Sequence, residues 1–79
     1  MEVLVNGILI DCDFEKWEFE GKKGIRHYCT IKTVEKKLIT FKIEEQDFNL
    51  YSDLVGQDIS VICKIFVRGT YSLKSIGLN

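Results

Sequence analysis

The chain is a succession of short stretches in which apolar and polar residues alternate with a period of two, the pattern typical of half-buried β-strands. The first stretch carries two apolar sets, Val3 with Val5 and then Ile8, Ile10 and Cys12. Gly7 lies between the two sets and predicts a bulge or bend there.

The apolar positions of this first strand then change parity, from Cys12 and Phe14 to Trp17 and Phe19. Such a change predicts that the strand bends or bulges, so that its two halves face different packing partners. The glycines at both ends of "GKKG", residues 21–24, predict the turn that follows the strand.

A second strand is predicted over "IRHYCTIK", residues 25–32, and a third over "LITFKI", residues 38–43, with the polar turn "VEKK" between them. The apolar faces of the two strands are predicted to be Ile25, His27, Cys29 and Ile31, and Ile39, Phe41 and Ile43. The two strands should therefore form a hairpin.

One helical segment is predicted in "EEQDFNLYSDLVG", residues 44–56. Its apolar residues at helical spacing are Phe48, Tyr51 and Val55. Asp47 is placed to cap the start of this short helix, and Gly56 to end it.

Alternation resumes over "DISVICKIFV", residues 58–67, followed by a tight turn at "RG" and a last strand over "TYSLKSIGL", residues 70–78. Three strands, a short helix and two strands is the order of the OB-fold, a small five-stranded barrel. We therefore predict a mainly β, OB-fold-like barrel with one short helix between strands 3 and 4, as a single domain over residues 1–79. Oligonucleotides bind this fold on its middle strands and on the loops that join strands 1 to 2 and 4 to 5.

The composition limits the kind of function. A chain of 79 residues can bury one core but has little room for a deep enclosed active site, so a surface function is expected. No stretch approaches the roughly 20 apolar residues that span a bilayer, and the amino terminus lacks a basic leader region. Three cysteines without CxxC spacing predict free thiols in a reducing compartment. We expect a cytoplasmic protein that does not bind membranes.

The charge is unevenly distributed, although the net charge is −1 and the pI is near 5.8. Residues 1–21 carry one base and six acids, residues 22–42 seven bases and one acid, and residues 43–79 three bases and five acids. An acidic protein is not a usual nucleic-acid binder. A segment with seven bases and one acid is nevertheless unusual for an ordinary mixed surface, and it favours an anionic partner.

The basic segment also supplies an aromatic ring on the face of the second strand opposite its apolar set. Cations follow phosphates, and an aromatic ring stacks on any base, so this combination suits single-stranded nucleic acid. The predicted binding residues lie on this face, on the continuing strands and in the turns: Lys22, Lys23, Arg26, Tyr28, Lys32, Lys36, Lys37, Lys42, Lys64, Phe66 and Arg68. For Tyr28 and Phe66, packing against a neighbour is an equal alternative, and for Trp17 and Phe19 a place in the core is favoured over ligand contact.

Two stretches carry a resemblance to a known class of proteins. "FEGKKGIRHYCTI" joins an acidic-aromatic strand end to a basic glycine turn and a second strand, and "LVGQDISVICKIFVRGTYSLKSIGL" joins a glycine, an alternating strand, a short turn and a closing strand. Here the chain resembles the small OB-fold single-stranded-DNA-binding proteins of bacteria, phages and mobile elements, including the helix-destabilising proteins of filamentous phages. The resemblance implies that the strand binders are Arg26, Tyr28 and Lys32, with Lys22 and Lys23 in the first loop and Arg68 in the last. It also implies assembly as a homodimer.

We expect a non-catalytic, sequence-tolerant single-stranded-DNA-binding protein of replication, recombination or DNA transfer, without cofactor, with RNA as an alternative ligand. An enzyme is disfavoured, because the chain has one histidine and no GxSxG, phosphate-loop or HExxH motif. A zinc set of His27 with Cys12, Cys29 and Cys63 is also disfavoured, because these residues lie on the apolar face. The main alternative is a protein-interaction module whose basic hairpin docks on an acidic partner.

Overall fold

The computed structural model describes the backbone of residues 1–79 and all side chains except those of Arg68, Thr70 and Tyr71. The chain forms five strands and one short helical segment between the third and the fourth. The elements are β1 (Glu2–Phe19), β2 (Lys22–Lys32), β3 (Leu38–Ile43), a 3-10 turn (Glu45–Asp47), α1 (Phe48–Ser52), β4 (Asp58–Arg68) and β5 (Thr70–Leu78). Both the predicted order and the mainly β class are confirmed.

The strands form one sheet in the order β1-β2-β3-β5-β4, and β4 pairs back onto β1 to close a ring of hydrogen bonds. The great length of β1 permits this closure, because it pairs with β4 over Glu2–Ile8 and with β2 over Ile8–Phe19. Only β3 and β5 are parallel, and they pair at Lys42 and Lys74. The result is the OB-fold-like arrangement that the sequence predicts.

One core fills the barrel; its buried members come from the inward faces of β1 to β4 and from α1, and Leu73 of β5 packs against them. The buried apolar residues are Val5, Leu9, Cys29, Ile31, Phe41, Ile43, Tyr51, Val61 and Cys63. Tyr51 packs edge-on against Phe41, with 6.0 Å between ring centroids, and its hydroxyl lies 2.6 Å from the Ser75 hydroxyl. The helix therefore packs against the core, and its Tyr51 hydroxyl pairs with β5.

The inward face of β1 differs from the prediction. Val5 and Leu9 are buried, whereas Ile8 and Ile10 are 47% and 41% exposed. The pairing of β1 with β2 shifts register between Leu9 and Asp11, so that Ile10 is the extra residue of a β-bulge. A bulge is present, but it lies at Ile10 and not at Gly7. No register shift interrupts the pairing of β1 with β2 between Phe14 and Trp17, where the change of parity predicted a bend or bulge.

Gly7 has a different role, at the point where β1 passes from β4 to β2. Its φ is +154°, and a Cβ atom added there would lie 2.3 Å from the carbonyl oxygen of Lys32 and 2.7 Å from the Ile31 side chain. Only a glycine allows the two backbones to approach this closely.

The turn between β1 and β2 is also displaced from its predicted position at residues 21–24. Glu20 and Gly21 have φ angles of +50° and +78°, as in a type I′ hairpin turn. Lys22 and Lys23 belong to β2, where they pair with Phe19 and Glu18. The two-residue turn matches the twist of the strands better than a longer one, and it draws Gly24 into the ladder.

The β1–β2 hairpin extends well beyond the barrel. Pairing of β2 with β3 reaches only as far as His27, and β4 pairs with β1 only up to Ile8. Residues 15–26 therefore form a two-stranded projection, which we call the arm. It accounts for the elongated shape of the molecule, which measures 41 × 28 × 20 Å.

The helical segment is shorter than predicted, because the chain enters it through the 3-10 turn. The Asp47 side chain makes no capping hydrogen bond with the described residues, since its backbone is already helical. Val55 is exposed, and the core-facing residue beyond the helix is Leu54. The capping role of Asp47 and the inward place of Val55 were therefore wrong.

Candidate nucleic-acid interface

The outer face of β2 and β3 brings together part of the predicted binding set. Because Cys29 and Ile31 face the core, their neighbours in β2 face outward. Tyr28 pairs with Lys42 across the two strands, and the next outward pair is Thr30 with Thr40. The hydroxyls of these two threonines are 3.1 Å apart. One outer surface thus carries a tyrosine, a lysine and two hydroxyl groups.

The acidic part of β1 lies beside this surface. Arg26 pairs with Glu15, and its guanidinium is 3.7 Å from the Glu15 carboxylate. Asp13 pairs with Tyr28 and Asp11 with Thr30. Partial burial raises the pKa of Tyr28, and the carboxylates of these three β1 residues raise it further. The positive segment of the sequence is therefore bordered in space by the negative one, and the β1 edge repels phosphates.

Trp17 lies across the arm and covers Gly24. The two residues pair directly, and a Cβ atom at Gly24 would lie 2.5 Å from the indole ring. The Arg26 guanidinium lies 5.8 Å from the centre of the same ring, a cation–π arrangement. Trp17 is thus half-buried by its own hairpin and does not enter the barrel core. Phe19, near the tip of the arm, is 69% exposed, so neither residue takes the favoured place in the core.

A cleft of about 740 Å³ opens where the arm diverges from the β4–β5 hairpin, above the end of β3. Its lining residues come from β2, from the end of β3 and the 3-10 turn that follows it, and from β4 and β5: Ile25, Arg26, His27, Lys42, Ile43, Glu44, Glu45, Phe66, Ser72 and Lys74. The cleft therefore lies between the two hairpins that supply the ligand loops of this fold.

The cleft combines positive charge with an accessible ring. Arg26, Lys42 and Lys74 contribute three cations, and Phe66 is 48% exposed. Lys74 makes an ion pair of 2.5 Å with Glu44, and both side chains are 41–53% exposed. Exposed ion pairs contribute about 1 kcal/mol or less, so an incoming phosphate can replace this carboxylate.

Most of the other predicted residues lie outside the cleft. Lys22 and Lys23 are at the tip of the arm, and Lys32 is at the opposite end of β2. Lys36 and Lys37 are in the β2–β3 loop, where Lys37 lies 3.7 Å from Glu35. Lys64 in β4 pairs with Glu2 and Lys74. The side chain of Arg68 lies outside the described residues.

Sequence reasoning missed two features of this region. Lys74 was not singled out, although its alternation with Leu73 and Ser75 in the last strand indicates an outward position. His27 lines the cleft and packs against Phe48 at 5.0 Å and Phe14 at 6.1 Å between ring centroids. No sequence signal links these three rings, because they come from β1, β2 and α1.

Comparisons with protein-family models, with curated proteins and with solved structures find no match for this chain. Among the residues that the structure describes, no three histidine, cysteine, aspartate or glutamate side chains form a group that could hold a metal ion. Within the same part of the chain, no helix is long and apolar enough to cross a membrane.

Proposed function

We propose that this protein binds single-stranded DNA, without strong sequence preference and without catalysis, in replication, recombination or DNA transfer in the cytoplasm. The observation that carries the proposal is the cleft, which is lined by Arg26, Lys42 and Lys74 together with the half-exposed Phe66. Cations that contact phosphates and a ring that stacks on a base are the two elements of sequence-tolerant binding.

The charges around the cleft favour one path for the strand. Asp11, Asp13 and Glu15 border the outer face of β2 on the β1 side and repel phosphates there. The strand is therefore expected to cross the cleft from Arg26 towards β5, with Lys42 beneath it. Tyr28 lies beside Lys42 on the outer face and extends the stacking surface.

The test is a fluorescence-anisotropy titration of the full chain with oligo-dT, oligo-U and a duplex of the same length. Phe66→Ala should weaken binding to oligo-dT by about tenfold, because one base–ring stack contributes about 1–3 kcal/mol. Lys42→Glu should weaken it at least as much and make the affinity less salt-dependent, since a phosphate contact is lost.

Two matched variants control for non-specific effects. Phe66→Leu keeps an apolar side chain and loses the ring, so it should bind nearly as weakly as the alanine variant. Lys37→Glu makes the same charge reversal as Lys42→Glu in the β2–β3 loop, away from the cleft, and should change affinity little. If Phe66→Ala, Phe66→Leu and Lys42→Glu all bound oligo-dT like the parent, the proposed site would be wrong.

The same titration distinguishes the proposal from the alternative, a module that docks its basic hairpin on an acidic protein. Asp11, Asp13 and Glu15 of β1 lie opposite Thr30, Tyr28 and Arg26 of this β2–β3 hairpin, so the hairpin does not offer a uniformly basic face. Absence of binding to every oligonucleotide at low salt would favour the docking module over the proposal.

We also propose that the protein is a homodimer. Apolar side chains on the outer face of β1, β4 and β5 support this proposal. Leu4 pairs with Ile62 across β1 and β4, and Ile76 of β5 is next to Gly77, the residue that pairs with Ile62. Leu4 and Ile76 are about half exposed, and none of the three lines the cleft. A two-fold contact through this face would leave both clefts open.

A further inference from the structure

Two of the three cysteines lie directly opposite each other in the ladder. Cys12 of β1 pairs with Cys29 of β2, and their Sγ atoms are 2.9 Å apart. The S–S bond of a disulfide is about 2.05 Å long, so the two sulfur atoms need to approach by only about 1 Å. Opposed strand residues have Cβ atoms about 4.5–5.5 Å apart, close to the 3.5–4.5 Å of a disulfide.

The two thiols differ in accessibility. Cys29 is fully buried in the core, whereas Cys12 is half-buried where β1 leaves the bulge at Ile10. An external reagent therefore reaches Cys12 first, and Cys29 is already in place as the second thiol. Cys63 is buried on β4 and pairs with Val3, so it has no thiol opposite it in the ladder.

We propose that Cys12 and Cys29 are a reversible oxidation site that forms an intrachain disulfide by exchange with a low-molecular-weight disulfide such as oxidised glutathione. The Cys12 thiolate attacks one sulfur of glutathione disulfide, forms a mixed disulfide and releases one glutathione thiolate. The Cys29 thiolate then attacks the Cys12 sulfur and releases the second glutathione. The protein loses two protons and two electrons, and the glutathione disulfide is reduced to two thiols.

Burial is the largest cause that raises the pKa of both thiols. The thiolates are therefore scarce at neutral pH, the exchange is slow, and the reduced pair persists in a reducing solution. The bond would join β1 to β2 at the base of the arm. It would hold this register even when the two-stranded arm frays. Formation of this disulfide does not depend on nucleic-acid binding.

The test uses the full chain incubated with oxidised glutathione, denatured, and titrated for free thiols. Three thiols should fall to one, with a mass lower by two hydrogen atoms and full reversal by dithiothreitol. After alkylation and trypsin digestion without reduction, peptides 1–16 and 27–32 should be recovered as one linked species. Peptide mapping needs no variant, so the result does not depend on the folding of a mutant.

Two variants make the assignment specific. Cys63→Ala should still form the bond and fall from two thiols to none. Cys12→Ser, at the half-buried position, should form no intrachain disulfide. A stable mixed disulfide with glutathione at Cys12, a bond that includes Cys63, or no loss of thiols in the folded chain would each overturn the proposal.

Discussion

At the scale of single residues, the affinity of the proposed cleft for a phosphate depends on the ion pair between Glu44 and Lys74. The pair is short but exposed, so the lysine is held by a carboxylate that gives little net stability. In the proposed complex a phosphate would take the place of Glu44. The carboxylate would then compete with the ligand and lower its affinity.

Removal of this competitor should strengthen binding. We expect Glu44→Gln to tighten the complex with oligo-dT by about two- to fivefold, since an exposed pair contributes up to about 1 kcal/mol. A gain of affinity cannot arise from damage to the fold. This variant is therefore more informative than one that loses affinity. Glu35→Gln is the matched control, because it frees Lys37 in the β2–β3 loop. An equal gain in both variants would indicate a general charge effect and would contradict a site in the cleft.

At the scale of the elements, the closure of the sheet depends on β1, because this one strand pairs with both β4 and β2. It changes partner at Gly7 and Ile8, and it changes face at the Ile10 bulge. The first change needs close contact between backbones, and the second needs an unpaired residue. Both occur within four residues, so this segment tolerates little alteration.

Gly7→Ala should therefore be among the most destabilising single substitutions in the chain. The added Cβ would meet the carbonyl oxygen of Lys32, a backbone atom that cannot rotate away. Gly77→Ala is a close control, because Gly77 has a φ of +150° but no described atom within 4 Å of the added Cβ. In urea unfolding, Gly7→Ala should cost at least about 2 kcal/mol more than Gly77→Ala. Equal losses would mean that backbone strain alone, and not the close contact, explains the glycine.

The strands were predictable because burial imposes a period of two on each of them, as Phe41 and Ile43 or Val61 and Cys63 illustrate. The register of the first hairpin was not predictable in the same way. A turn at residues 21–24 and a turn at Glu20–Gly21 are compatible with nearly the same alternation. Only the true register reveals that Glu15 faces Arg26 and Asp13 faces Tyr28. The sequence therefore predicts a basic surface from residues 22–42, whereas in the structure acidic residues of β1 border that segment.

At the scale of the whole molecule, the closed ring of strands removes most of the open edges that a partly open barrel would offer to a second copy. A dimer would therefore form through the exposed apolar face of β1, β4 and β5 and not through strand edges. Glu2 and Lys64 are paired on this face next to Leu4 and Ile62, so that opposite charges flank the apolar residues. Such a surface can be self-complementary across a two-fold axis.

Substitution on this face should change the oligomeric state. We expect the parent chain to be a dimer at micromolar concentration, and Leu4→Glu to be a monomer, because it would place two carboxylates in an apolar contact. Leu38→Glu is the matched control: Leu38 is also exposed, on the outer face of β3, and its substitution should leave the dimer intact. Gel filtration with light scattering measures the mass, and circular dichroism checks that each variant is folded. A monomeric parent would refute the dimer. A folded Leu4→Glu dimer would place the contact elsewhere on the surface.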